Sequence, residues 1–295
     1  MLRVLKMKAC RLLLLTGGIA VAGSLARAQN PPAAPTAIPD IRFANGMSVV
    51  PYLEGWIKNP DGSFDFVFGY FNRNTEEELV IPPGPDNAVT PGGPDRGQPT
   101  YFHPRRQPRI FRARVPKDWG DKTLTWSITA NGRTEKVISK LLPAEEINEH
   151  MMIAGGNNTM QFGEDDLNQP PTIAIAPIGA AAVGAAVPLV ANVTDDGLPR
   201  PRPPAAPRPA APSATDSRFQ SQRNTSAPRP NLGLRVTWIE YRGPAKATFD
   251  TNPVPVSDGK ATTNVHFAAP GNYTLVGLAN DGRLSARAEI AVTVK

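Results

Sequence analysis

The sequence predicts an all-β fold with two β-sandwich domains behind a cleaved export signal. In many short runs, apolar or aromatic side chains alternate with polar ones, a pattern typical of half-buried strands. Proline (33) and glycine (25) together make up about a fifth of the 295 residues, which disfavours long helices and suits short strands joined by turns. The chain is also long enough for two cores of ordinary size.

The first 28 residues have the pattern of a secretory signal peptide. Basic residues precede an apolar run over residues 12–25, and Ala26-Arg27-Ala28 supplies a small-residue cleavage site. Cleavage after Ala28 starts the exported chain at Gln29. The alternative is a retained anchor, but the apolar run falls short of the roughly 20 residues that a spanning helix needs. The sequence therefore predicts a secreted or periplasmic protein with no membrane span in the mature chain.

Removal of this signal changes the charge and the cysteine content. It takes away five basic residues and no acidic residue, so the formal net charge falls from +6 to +1. This small charge does not imply a nucleic-acid partner. The single cysteine, Cys10, also leaves with the signal. We therefore expect neither a disulfide nor a thiolate metal site, and stability must come from packing.

Residues 41–142 are predicted to form the first sandwich, after a proline-rich lead-in over residues 29–40. From Phe64 to Tyr70, aromatic side chains occupy every second position, which places them on one buried face of a strand. Asn131-Gly132 follows a second alternating run from Leu124 and predicts a tight hairpin turn.

Residues 82–109 are rich in proline and glycine and predict a long irregular loop. His103 lies there beside Arg105, Arg106 and Arg109. Cations grouped in this way can hold a carboxylate or a phosphate. The alternative, which we favour, is a solvated loop, because charged loop residues are usually exposed.

Residues 143–167 are predicted to be a linker, and residues 168–295 the second sandwich. Seven short alternating runs between Ile173 and Val294 match the count and spacing of an immunoglobulin-like domain. A segment over residues 199–230 with nine prolines and six arginines interrupts them. Its composition cannot build a core, so we expect a disordered insertion.

Short motifs in the second half resemble PKD-like domains, which are immunoglobulin-like modules of bacterial surface and secreted proteins. The motifs occur in the order seen in that family and cover about residues 168–295, whereas the first half resembles no family that we recognise. The insertion departs from the family pattern, because it enlarges a loop that usually runs directly into the tryptophan strand. The motifs are Asn168-Gln169-Pro170-Pro171, Val193-Thr194-Asp195-Asp196-Gly197-Leu198-Pro199, Val236-Thr237-Trp238, Gly243-Pro244, Pro270-Gly271-Asn272-Tyr273-Thr274-Leu275 and Ala279-Asn280-Asp281-Gly282.

The resemblance implies a calcium site, because some PKD-like modules bind calcium through an aspartate pair and an asparagine before the first strand. The matching residues are Asn168, Asp195 and Asp196. Calcium takes six to eight oxygen ligands, which carboxylates and backbone carbonyls supply. The alternative is that the aspartate pair caps a turn by accepting hydrogen bonds from nearby amides.

Several aromatic residues have structural explanations. Trp238 is expected to fill the space between the two sheets, and Tyr273 to form a tyrosine corner. Tyr52, Trp56 and Trp119 could stack on sugars, but burial is the more common role for such side chains.

No nucleophile elbow, phosphate-binding glycine loop or metal-ligand spacing of histidines occurs in the sequence. The leading hypothesis is therefore a non-catalytic binding or scaffold protein that contacts a protein or glycan at the cell envelope through its sandwich loops. One alternative is a secreted hydrolase with His103, Asp86 and Asp95 in the 82–109 loop. Another is a structural subunit of a surface assembly.

Overall fold

The computed structural model describes residues 42–153, 167–179, 181–199 and 233–295. These residues form sixteen strands and one five-residue α-helix, which confirms the all-β prediction. The predicted signal, the lead-in and nearly all of the 199–230 insertion lie outside them. No helix among the described residues has the length and apolar character needed to cross a membrane.

The first sandwich packs the sheet β1-β2-β6 against the sheet β4-β7-β8, and a small β3-β5 ribbon lies beside them. All neighbouring strands in these sheets are antiparallel. The elements are β1 Val49–Lys58, β2 Phe64–Asn72, β3 Leu79–Val80, β4 Asn87–Thr90, β5 Tyr101–Phe102, β6 Arg105–Val115, β7 Leu124–Ala130, β8 Arg133–Ser139 and α1 Glu149–Ile153.

The core of this sandwich forms around the aromatic side chains of β2, as the alternation predicts. Phe66, Phe68 and Tyr70 are buried. Phe68 stacks on Phe111 with ring centroids 5.7 Å apart and meets the edge of Trp126 at 5.8 Å. Such aromatic pairs add about 0.5–1.5 kcal/mol each beyond the area that they bury.

The outer face of β2 is also covered, because the start of the predicted linker lies across this sheet. Ile147 donates its main-chain N–H to the carbonyl oxygen of Trp56 at 2.9 Å, and Glu149 forms an ion pair with Arg112 at 2.7 Å. Gly55 makes the close approach feasible, since a Cβ there would lie 2.7 Å from the Ile147 side chain. Residues 143–153 therefore pack against the first sandwich.

The prediction of an irregular loop over residues 82–109 is wrong in part, because β4, β5 and the start of β6 fall within it. Buried Asn87 organises this region. Its Nδ2 donates to the carbonyl oxygens of Ile81 and Pro99 at 2.9 and 2.8 Å, and its Oδ1 accepts the indole N–H of Trp126 at 3.0 Å. Because proline has no main-chain N–H to donate, the side-chain amide of Asn87 supplies hydrogen bonds that a neighbouring strand would otherwise make.

The second sandwich packs the sheet β12-β14-β10-β9 against the sheet β13-β11-β15-β16. All seven predicted strands are present, and β13 is an additional short strand that the sequence did not reveal. The elements are β9 Thr172–Ile175, β10 Val187–Thr194, β11 Arg235–Arg242, β12 Ala247–Phe249, β13 Val254–Pro255, β14 Lys260–Phe267, β15 Gly271–Asn280 and β16 Ser285–Val294.

The two predicted structural aromatics lie in this second core. Trp238 is 2% exposed, and Gly277 on the neighbouring strand leaves room for its ring, since a Cβ there would lie 3.1 Å from the indole. Tyr273 donates its hydroxyl to the carbonyl oxygen of Ala269 at 2.8 Å. This is the hydrogen bond of a tyrosine corner, as the sequence predicts.

We predict that Asn87→Ala lowers the free energy of unfolding by about 2–4 kcal/mol, because it leaves the buried Trp126 N–H and two buried carbonyls without partners. Urea denaturation followed by tryptophan fluorescence measures the change. Asn45→Ala, at an exposed position, is the matched control and should stay within about 0.5 kcal/mol of the parent. A loss below about 1 kcal/mol for Asn87→Ala would contradict this role.

Candidate functional site

The two sandwiches meet along the second half of β11. A register shift between Glu240 and Arg242 makes Tyr241 an extra residue relative to β15. Such a bulge redirects side chains, and Glu240 and Tyr241 are both buried although they are consecutive. Tyr241 packs with the core of the first sandwich, whereas Trp238 packs in the core of the second.

Polar contacts fix Tyr241 against the first sandwich. Its hydroxyl donates to the carbonyl oxygen of Gly97, and its own carbonyl oxygen accepts the main-chain N–H of Thr100 at 3.1 Å. The guanidinium of Arg287 lies over its ring at 5.1 Å and donates to the carbonyl oxygen of Ile110 at 2.8 Å. Strand β11 is thus attached to both domains through main-chain and side-chain groups.

Arg242 completes this attachment. Its guanidinium donates to both carboxylate oxygens of Asp95, at 2.7 and 3.1 Å, and to the carbonyl oxygen of Gln98 at 2.9 Å. These hydrogen bonds hold the pKa of Asp95 below its usual value. A bidentate arginine–carboxylate pair fixes geometry as well as adding energy. We call the contacts of Tyr241, Arg242 and Arg287 the junction.

A cleft of about 500 Å³ opens beside the junction, between the two sandwiches. We call it the junction cleft. The first sandwich contributes residues next to β3 and β5 and on β6. The second contributes the edge of β11 together with β12 and its flanks. Among the residues that line it are Glu78, His103, Gln107, Ile239, Lys246, Thr248, Phe249 and Asn252.

The junction cleft exists because β13 pairs only with the first two residues of β11. Beyond that point, side chains replace a neighbouring strand. Asn252 accepts the main-chain N–H of Trp238 at 2.9 Å and donates to its carbonyl oxygen at 2.8 Å. Nε2 of His103 lies 2.8 Å from the carbonyl oxygen of Glu240. These side chains satisfy the main chain and leave space where a strand would lie.

His103 has a defined protonation state at this position. Because a carbonyl oxygen only accepts, Nε2 must carry the proton. Burial lowers the pKa of the imidazole, so the ring is neutral near pH 7 and its Nδ1 is an acceptor. The ring packs against Tyr101 with centroids 5.0 Å apart, and the main-chain N–H donates to the hydroxyl of Tyr70 at 2.8 Å.

Glu78 and Lys246 place opposite charges side by side in the junction cleft. Oε2 of Glu78 accepts the Tyr101 hydroxyl at 2.6 Å and lies 2.7 Å from Nζ of Lys246. Burial opposes ionisation of Glu78, but the hydrogen bonds from Lys246 and Tyr101 outweigh it and lower the pKa of the carboxyl. These two charges balance each other.

Glu240 is the most unusual ionisable group at the junction. Its residue is 1% exposed, Oε2 accepts the main-chain N–H of Ala247 at 2.6 Å, and Oε1 has no hydrogen-bond partner among the described residues. Burial raises the pKa of its carboxyl to about 8. The side chain is therefore mostly protonated at neutral pH, because burial penalises its ionised form more than the nearby charge of Lys246 favours it.

The predicted aspartate pair takes the turn-capping role. Asp196 accepts the main-chain N–H groups of Gln169 and Leu198, both at 2.8 Å, and these hydrogen bonds lower its pKa. Asp195 accepts the main-chain N–H of Gly197 at 3.0 Å. The pair therefore holds the end of β10 and the strand entry at Gln169 in place.

Asn168 and a further carboxylate lie at the same end of the domain. Nδ2 of Asn168 donates to Oδ2 of buried Asp281 at 3.1 Å. Burial raises the pKa of Asp195, and the nearby charges of Asp281 and Asp196 act in the same direction. Within the part of the chain that the structure describes, no group of three or more His, Cys, Asp or Glu residues could hold a metal ion. The calcium site stays a prediction.

The arginines that the sequence places beside His103 lie on β6, where aromatic rings hold two of them. Arg105 lies over the ring of Phe71 at 5.3 Å. Arg106 lies over Tyr52 at 5.1 Å and pairs with Glu54 at 3.4 Å, so a guanidinium already occupies this face of Tyr52. The other two aromatics considered for sugar stacking are buried: Trp56 and Trp119.

The hydrolase hypothesis requires His103, Asp86 and Asp95 to converge. Instead, Asp95 holds Arg242, and the protonated nitrogen of His103 faces the carbonyl oxygen of Glu240. The residues that do surround His103 are Glu78, Lys246 and Tyr101, none of which the sequence singled out. Glu240 could have been singled out from the sequence, because it occupies a buried position in the alternation of β11, where charged residues are rare.

Comparisons with known proteins find only distant structural likenesses. No family model matches the chain, and no curated protein matches it. A conjugative transposon lipoprotein from Bacteroides eggerthii is 11% identical with a TM-score of 0.26, over 42% of this chain and 96% of that one. The D00-D0 domain of intimin is 11% identical with a TM-score of 0.27, over 84% and 100%.

A third likeness, the I-band fragment of titin, is 10% identical with a TM-score of 0.23, over 84% of this chain and 66% of that one. At these scores no property of the three proteins is carried over to this chain.

We predict that Glu240→Gln changes the pH dependence of stability. The native carboxyl keeps a proton that the unfolded chain releases above about pH 4.5, so the contribution of Glu240 to the parent's stability falls as the pH rises from about 5 to 8. Glutamine still accepts the Ala247 N–H but cannot ionise. The variant's stability relative to the parent should therefore grow by roughly 1 kcal/mol per pH unit across this range.

Chemical denaturation at several pH values measures this difference. Glu76→Gln, at an exposed position, is the control and should run parallel to the parent. A constant offset between Glu240→Gln and the parent from pH 5 to 8 would show that Glu240 has an ordinary pKa.

Proposed function

We propose that this chain is an exported, non-catalytic binding or scaffold protein of the cell envelope, which contacts a protein or a glycan. One observation carries the proposal: the junction joins two sandwiches through a shared strand and a bidentate ion pair, and holds a cleft between them that has both polar and apolar lining groups. Such an arrangement suits the presentation of a fixed surface.

Export is the first part of this proposal. Its support is the basic and apolar pattern of residues 1–28 with the Ala26-Arg27-Ala28 site. The PKD-like motifs of residues 168–295 support an extracellular or envelope location by resemblance. On this account the mature chain begins at Gln29 and contains a first sandwich over residues 41–142 and a PKD-like one over residues 168–295, joined by residues 143–167.

The binding or scaffold role is the second part. Rigid surfaces bind more tightly than flexible ones, because they lose less conformational freedom on association. The pair Arg242–Asp95 and the packing of Tyr241 fix the relative position of groups that come from both sandwiches. A structural subunit of a surface assembly is the alternative, and it would give concentration-dependent oligomers in light scattering.

We predict that the exported chain binds saturably to the envelope fraction of the source organism, measured by co-sedimentation. The double variant Tyr241→Ala/Arg242→Met should bind roughly tenfold more weakly, a loss of about 1.4 kcal/mol of binding free energy. The reason is that the two sandwiches are no longer held in a fixed relative position. Arg133→Met, at an exposed position on β8, is the matched control. Absence of binding, or catalytic release of soluble fragments from the envelope, would overturn the proposal.

The calcium site implied by the resemblance is a second proposal, with Asn168, Asp195 and Asp196 as ligands. Its support is the clustering of these side chains with Asp281 and an Asp195 Oδ1 that makes no hydrogen bond within the described residues. Bound calcium would supply the positive charge that the cluster lacks.

We predict that calcium raises the melting temperature of the exported chain and gives a saturable calorimetric titration. Asp195→Asn should remove both effects, since it removes one anionic ligand. Asp121→Asn, at an exposed position, is the control and should leave both effects intact. No heat at millimolar calcium would leave the aspartates with their turn-capping role alone.

A further inference from the structure

We infer that the junction cleft is a binding site for an uncharged saccharide, an inference that rests on the proposed binding function and names its ligand class. The cleft is about 500 Å³, within the range of roughly 300–1,000 Å³ that is common for small-molecule sites. It also lies between two domains, where such sites are frequent.

The polar groups of the cleft fit hydroxyl groups better than they fit a charge. Glu78 is an acceptor, Lys246 beside it is a donor, and His103 lines the same cleft. A hydroxyl both donates and accepts, so one sugar hydroxyl can bridge groups of each kind. An anion would meet Glu78 and a cation would meet Lys246, whereas an uncharged polyol leaves their ion pair intact.

The apolar part of the cleft fits the carbon–hydrogen face of a sugar ring. Ile239 and Phe249 line the cleft and are partly buried, Ile239 against the core of the first sandwich and Phe249 against that of the second. An aromatic ring offers a flat apolar surface beside polar groups. Thr248, on the same short strand as Phe249, adds an exposed hydroxyl.

The site is already ordered. Asn252 is held by two hydrogen bonds to the main chain of Trp238, and His103 is held by the carbonyl of Glu240. Ligand binding therefore does not need to order these side chains, which lowers its entropic cost.

An extended peptide is a poorer occupant. Peptides bind sandwich edges by adding a strand to unpaired main-chain groups. Here Asn252 and His103 already satisfy β11 at Trp238 and Glu240. The facing strand, β12, has only three residues.

The test is binding of the exported chain to an array of purified uncharged and charged oligosaccharides, including bacterial cell-wall fragments, followed by calorimetric titration of the hits. Thr248→Val and Gln107→Leu alter opposite walls of the cleft. Each should weaken binding of an uncharged saccharide about tenfold, as expected for a lost hydrogen bond within a site. Thr262→Val, an exposed strand threonine of the same sandwich, is the control and should bind like the parent. Equal urea midpoints establish that the variants are folded.

The possible results distinguish the saccharide inference from the proposed binding function. Weakened binding in both cleft variants, with the control unchanged, supports the inference. Saccharide binding that both cleft variants retain, or binding of charged saccharides alone, overturns it. If no saccharide binds while the envelope fraction still retains the chain, the inference fails and the proposed function stands. If neither binds, both fail.

Discussion

Strand β11 has to serve two hydrophobic cores at once, and this constraint shapes the rest of the molecule. As far as Glu240, every second side chain of β11 is buried in the second sandwich. The bulge then directs the side chain of Tyr241 into the core of the first sandwich. Neither sandwich can move away from the other without exposing a tyrosine and unpairing Arg242 from Asp95. Burial of a large aromatic side chain is worth several times the thermal energy, so the two domains are coupled through one strand.

The same strand explains the unusual polar groups nearby. Because β11 leaves its partner strand early, Asn252 and His103 must satisfy its main chain, and their side chains hold the junction cleft open. Glu240 occupies a core position beside it, where its carboxyl stays protonated. The junction cleft and the buried carboxyl thus lie on one stretch of β11, which stays paired with β15 but, among the described residues, has no strand partner on its other edge beyond Val236.

Local periodicity was sufficient to predict the longer strands of the second half and the aromatic strand β2, whereas long-range contacts were not predictable. The aromatics of β2, the seven strands of the second half, Trp238 and Tyr273 all follow from period-two burial and turn chemistry. By contrast, Arg242 and Asp95 are separated by 147 positions, and no local pattern links them. The strands between residues 82 and 109 were missed because β4 and β5 have only four and two residues and lie in a proline-rich stretch. The buried amide of Asn87 ties this stretch together through contacts that no local pattern reveals.

Differential scanning calorimetry of the exported chain tests the central claim most directly. If β11 couples the two cores, the chain should unfold in one transition whose calorimetric enthalpy equals its van't Hoff enthalpy. Tyr241→Ala should then split that transition in two. Two well-separated transitions in the parent chain would contradict the account, because they would show that each sandwich unfolds without the other.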